Sequence, residues 1–167
     1  MIDKSSIISS SAKIHDDAVI GPFCIIGDSV IIDEGTELIS HVHISGNTSI
    51  GKNNKIYPFT TIGLEPQDKK YAGEKSFITV GDNNIIRENV TIHPGTKGDN
   101  LLTSIKNDCL IMIGSHIAHD CTIKSNVILV NNATLGGHVT INENAIIGGN
   151  SSIHQFVHIG QYAMIGG

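Results

Sequence analysis

Along this chain an aliphatic side chain recurs at every sixth residue. The series opens with Ile2, Ile8, Ile14, Ile20, Ile26, Ile32, Leu38, Ile44, Ile50, Ile56 and Ile62, resumes at Val80, Ile86 and Ile92, and runs again from Ile105 to Ile165. Of the 30 isoleucines, 21 fall on this series, where an even spread would put about five. An α-helix repeats every 3.6 residues and a strand every 2, so neither alone produces a period of six. Four residues after each anchor the side chain is small, being Ala, Cys, Ser, Thr or Val at 21 of 24 positions. Glycine often follows the anchor directly, as at Gly21, Gly27, Gly51, Gly136, Gly148 and Gly160. The pattern predicts a short strand and a corner per hexad, and three hexads per triangular coil of about 18 residues, with the anchors stacked inside. The fold class is therefore all-β, a parallel β-helix of about eight coils some 40 Å long. The period does not set its hand, and parallel crossovers are generally right-handed.

Two stretches break the repeat. Residues of about 64–79 include EPQDKKYAGEKS, whose proline, glycine and charges cannot line a dry prism, so they must loop outward. A shorter break at about 97–104, KGDNLLTS, shifts the phase by one residue and reads as a second protrusion. A single domain spanning 1–167 with two loop insertions is expected, and loops on a rigid solenoid are where function is usually carried.

Composition narrows the function. A net charge of −5 excludes a basic face for non-specific nucleic-acid binding. No run of 18 apolar residues occurs and the N-terminus lacks the apolar core of a signal peptide, so a cytoplasmic protein without membrane insertion is expected. Cys24, Cys109 and Cys121 all take the small interior position, which makes them buried packing residues rather than ligands or nucleophiles.

Nine histidines remain to be explained. With the phase unbroken after Ile105, residues 18 apart stack, so His119 lies under Gly137 and Gln155, and Asp120 under His138, with His154 one place earlier in the next coil. His119, Asp120, His138, His154 and Gln155 thus share one edge. His15, His41, His43, His93 and His158 fall outside it and read as structural or solvated. Two chemistries suit such a column, zinc ligation and general-base catalysis by one imidazole. The neighbours favour the second: Asp120 could stabilise an imidazolium, and Gly137 leaves a backbone N–H open to polarise a carbonyl oxygen.

PQDKKYAGE (66–74), IRENVTIHPGT (86–96), SHIAHDC (115–121), NNATLGGHV (131–139) and IHQF (153–156) resemble the motifs of the UDP-N-acetylglucosamine acyltransferases of lipid A biosynthesis. The resemblance implies a left-handed β-helix and transfer of an (R)-3-hydroxyacyl group from acyl carrier protein to the 3-hydroxyl of UDP-N-acetylglucosamine. It also implies a homotrimer with sites between subunits, and no metal or diffusible cofactor. Carried over by residue, it implies His119 as general base, Asp120 as its partner and Gly137 as oxyanion donor. Gln67, Asp68, Lys70, His116, His138, His154 and Gln155 would bind the sugar nucleotide, and Gly149 and Gly167 would line the acyl groove, Gly167 where chain length is gauged. Pro94 stands where many members carry Arg. The chain stops at IGG within a hexad, so the family's helical C-terminal domain is absent from it and a weakly active form is expected.

Other readings stay open. The N-acyltransferase of the same pathway carries a domain ahead of its repeats, whereas here they start at residue 2. A zinc-dependent hexapeptide carbonic anhydrase needs a His-x4-His pair, which this sequence lacks. An inactive solenoid scaffold leaves the histidine edge without a reason.

Overall fold

The computed structural model describes residues 1–98 and 100–167. Each hexad folds as a strand, usually of two residues, and a corner. Every third strand stacks in register, giving three flat parallel sheets of eight strands each. The first sheet runs from Ile7–Ile8 to Ser152–Ile153, the second from Lys13–Ile14 to His158–Ile159, and the third from Val19–Ile20 to Met164–Ile165. Together they wrap a left-handed parallel β-helix. Here the general right-handed rule fails, and only the family resemblance had pointed the other way.

Within each strand the residue before the anchor faces out and the anchor faces in, so Ile26, Ile44, Ile62, Ile92, Ile117 and Leu135 form one fully buried column behind the first sheet. The three cysteines lie in the same core as free thiols, and burial pushes Cys109 up to about 11 and Cys121 up to about 12, which leaves them unreactive. Corners follow a rule the hexad pattern hides. The third residue after the anchor takes a left-handed backbone at nearly every corner, and asparagine fills it at 53, 83, 89, 126, 132, 144 and 150, because its side chain tolerates that region best after glycine. Asp120, His138 and Phe156 occupy the same place in successive coils, with φ of 59°, 63° and 63°.

The coil-to-coil step is 18 residues wherever the repeat is regular, but 30 between Ile62 and Ile92 and 25 between Ile92 and Ile117. Both extra segments leave the prism at the corner between the first and second sheets. The chain rejoins the second sheet at Phe77–Val80 and at Leu102–Ile105, earlier than the loop ends of 79 and 104 expected from the phase, because these strands are four residues long and begin ahead of their anchors. The protrusions are tied to each other: Glu74 accepts hydrogen bonds from the amides of Ala72 at 2.8 Å and Lys97 at 2.9 Å. Among the described residues no helix is long and apolar enough to cross a membrane.

Candidate active site

The next coil up from the two protrusions carries His119 and Asp120 on that same corner. Asp120 is almost wholly buried, and its side chain meets donors from three directions. Thr96 donates its amide to both carboxylate oxygens at 3.0 Å and its hydroxyl to Oδ2 at 2.7 Å, and His119 Nδ1 lies 2.8 Å from the same Oδ2. The backbone amide of Asp120 donates to the Thr103 hydroxyl at 2.8 Å. A carboxylate only accepts, so the proton sits on Nδ1 and the lone pair of His119 on Nε2. Among the described residues Nε2 has no hydrogen-bond partner, and His119 lines a recess.

Gly137 makes room for that imidazole. A Cβ placed on it would lie 2.4 Å from His119 Cε1 and 2.6 Å from Nε2, so only glycine lets the ring lie across the coil above. The backbone amides at this corner position, of His119, Gly137 and Gln155, donate no hydrogen bond among the described residues. Gly137 itself is buried, with the His119 ring lying against it.

His138 stands edge-on to His119 with ring centres 5.0 Å apart, and its Nε2 is 3.9 Å from Asp120 Oδ2. Phe156, 64% exposed, stacks flat on its other face at 4.4 Å. Below, the loop brings Gln67, Asp68, Lys69 and Lys70 over His119, His138 and Gln155 to enclose a cleft of about 380 Å³. Asp68 closes a turn by accepting from the Lys70 amide at 2.9 Å.

His93, read from the sequence as structural or solvated, is buried beside this cluster. Its register partner is Ala118, so it lies one coil below the recess that His116, His119, Gly136, Gly137 and Gln155 also line. Its ring meets that of His116 edge-on at 4.9 Å, and its Nδ1 accepts the Gln67 amide at 3.4 Å. Burial, then the neighbouring His116 and His119, push it down to about 4, so it is neutral at pH 7. His116 is likewise held below its ordinary value by burial first and His119 second, and its Nδ1 lies 2.6 Å from the Thr91 hydroxyl.

Two expectations part from this cluster. His154 is exposed, with Nδ1 3.2 Å from the Gln155 carbonyl, and lines none of these recesses. Gly149 and Gly167 stack on each other at the next corner, between the third and first sheets, so within one chain they lie across the first sheet from His119. Thr96, Thr103 and Phe156 were not singled out in the sequence.

His119, Asp120 and His138 offer ligand atoms within 4.8 Å of one another, the geometry a metal ion could draw together. Asp120 Oδ2 already accepts from Thr96 and His119, however, so a metal would have to displace those donors from a buried carboxylate. The arrangement fits a proton-transfer pair better than a ligand set.

The hexad-wound prism places the chain in the hexapeptide-repeat class, and residues 102–137 match the model for the bacterial transferase hexapeptide (six repeats). The chain is 51% identical over 118 residues to an acyl-[acyl-carrier-protein]–UDP-N-acetylglucosamine O-acyltransferase of Psychrobacter sp., covering 71% of this chain and 46% of that relative. LpxA from Acinetobacter baumannii superposes with a TM-score of 0.98 at 49% identity, covering 99% of this chain and 64% of that one. The UDP-N-acetylglucosamine O-acyltransferase (LpxA) of Moraxella catarrhalis does so at 0.97 and 48%, with 99% and 65% covered. The chain belongs to the family of UDP-N-acetylglucosamine O-acyltransferases. It spans about half the length of the curated relatives it matches, 46% for the one above.

Proposed function

We propose that this chain forms the catalytic β-helix of an enzyme that moves an (R)-3-hydroxyacyl group from acyl carrier protein to the 3-hydroxyl of UDP-N-acetylglucosamine in the cytoplasm. The observation that carries the reading is the His119–Asp120 pair, with Nδ1 held at 2.8 Å by a buried carboxylate and the ring lying across Gly137 at the edge of a recess. In the reaction the sugar hydroxyl gives its proton to Nε2 while its oxygen attacks the thioester carbonyl. The imidazolium is stabilised by Asp120, and the Gly137 amide faces the developing oxyanion. Collapse of the tetrahedral intermediate breaks the carbon–sulfur bond, and the imidazolium returns its proton to the departing thiolate. Lys70 and the half-buried His138 line the cleft where a diphosphate would sit, and Gln67, Asp68 and Gln155 offer donors and acceptors for the sugar. His116 lines the adjoining recess, and His154 reaches a nucleotide only from outside it.

The separation of Gly149 and Gly167 from the histidine corner favours a trimer in which a neighbouring copy brings its own glycine corner to the acyl chain. An apolar outward row on the third sheet, from Ile85 at 42% exposure to Met164 at 76%, is the surface such packing would cover. The test is acyl transfer from hydroxyacyl carrier proteins of several chain lengths by the full-length protein and its His119→Ala variant. Loss of turnover by at least 10²-fold, with an unchanged melting curve, is expected. A variant with ordinary turnover would return the chain to a scaffold role, and turnover abolished by chelation would favour the metal reading.

A further inference from the structure

We infer that Thr96 is a positioning residue of this site, its hydroxyl fixing the Asp120 oxygen that in turn holds the His119 tautomer. The inference rests on the general-base reading of His119. Thr96 is buried four residues after the anchor Ile92, but the small interior place of this coil is filled by Thr103, which stacks in register on Ile78 and Cys121. Packing of the prism interior therefore does not account for the Thr96 hydroxyl. Yet the hydroxyl is spent on Asp120 Oδ2 at 2.7 Å, and the Thr96 amide spans both carboxylate oxygens at 3.0 Å.

The surrounding backbone is shaped for this contact. A Cβ on Gly95 would lie 2.1 Å from the Leu101 carbonyl carbon and the Leu102 nitrogen, and 2.7 Å from Asp120 Oδ1. Glycine there lets the segment leading to Thr96 pass between the returning loop and the carboxylate. Thr103, where the loop rejoins the second sheet, accepts the Asp120 amide at 2.8 Å. Departing and returning arms of one protrusion thus grip Asp120 from two sides, and Oδ2 is the oxygen that faces His119 Nδ1. Without the Thr96 hydroxyl the carboxylate keeps its charge and the Thr96 amide but loses its shortest contact on Oδ2, which loosens the oxygen that directs the imidazole. Thr96 is absent from the recess beside Gly137, and in the cavity of about 200 Å³ that it lines with Asp68, Lys70 and His138 its hydroxyl is already taken by Asp120, so its effect is expected on turnover.

Thr96→Val and Thr96→Ser, made in the full-length protein beside His119→Ala, test this. Thr96→Val is expected to lower kcat about tenfold, part of what a general base contributes, with KM within about twofold. Thr96→Ser is expected to recover most of the rate, since it restores the donor. Should Thr96→Val fail to fold, Thr96→Ala against Thr96→Ser isolates the hydroxyl at similar size and the same split is expected. Wild-type kcat in Thr96→Val, a loss that serine does not rescue, or a loss confined to KM would overturn the inference. If His119→Ala is inactive while Thr96→Val is normal, the positioning role alone falls; if His119→Ala remains active, the reading of the site falls first.

Discussion

Replacing Gly137 by alanine adds one methyl group and tests the site geometry directly. Gly137 is not among the residues with a left-handed backbone, and the same corner position carries full side chains in His119 and Gln155, so alanine strains nothing in the coil itself. Its methyl carbon would stand 2.4 Å from His119 Cε1, 2.6 Å from Nε2 and 3.0 Å from Nδ1. Carbon atoms settle at 3.5–4.0 Å, so the imidazole must retreat by about 1 Å. That displacement is enough to break the 2.8 Å contact between Nδ1 and Asp120 Oδ2. Misplacement of a reacting group by about 1 Å can cost on the order of 10²-fold in rate, and this is the loss expected in kcat. Alanine keeps its amide N–H, so the loss reports the displaced imidazole and not a missing oxyanion donor. Since His119 can swing toward solvent, the stability cost should be about 1 kcal/mol, the low end for overpacking. Steady-state kinetics on the full-length protein, with Gly137→Ala, His119→Ala and the double variant, provide the assay. Adding Gly137→Ala to His119→Ala should cost almost nothing further, because both act through one ring. Normal kcat in Gly137→Ala, or losses that multiply in the double variant, would refute the reasoning.

The remaining predictions concern stability and fold. His93 sits near 4 in the folded chain against 6.5 when free, so the unfolded state binds its proton first as pH falls, and stability is lost from about 6.5 down to about 4. Between pH 7 and pH 5 this linkage removes at most about 2 kcal/mol, less where water in the recess screens the ring; denaturant midpoints at the two pH values should show it, and His93→Gln should flatten the difference. The depressed His116 acts in the same direction. Gly95→Ala and Gly149→Ala should separate sharply in thermal melts. The first drives a methyl into backbone at 2.1 Å, whereas the second meets nothing nearer than the Asn131 carbonyl at 3.4 Å. About 2 kcal/mol or more is expected for the first and under 1 for the second; equal melting temperatures would mean that the 95–102 contact does not hold the loop.

What the sequence reveals and what it hides divide along the regularity of the coil. A strict period of six specifies every interior anchor, because each buried isoleucine is a separate instance of one rule, and the same arithmetic stacks His119, Gly137 and Gln155 once the phase is unbroken. It fails across the two protrusions, where the register step becomes 30 and then 25 residues. His93 is invisible for that reason alone: counted from its anchor Ile92, it is the lower neighbour of Ala118, and a count made from anchors instead of in steps of 18 would have found it. Thr96 is hidden differently, since by count it takes the small interior place that Thr103 fills in register, while its hydroxyl serves Asp120. Phe156 has a sequence signal that went unread, being 18 residues from His138 and 36 from Asp120. For His154 the same stacking logic gives the place of the backbone and not the direction of the side chain, which is exposed. The protrusions that spoil the arithmetic also bring Thr96, Thr103 and Gln67 to the histidines. A perfectly periodic prism would present identical corners, and the departure from period is what gives one corner its chemistry.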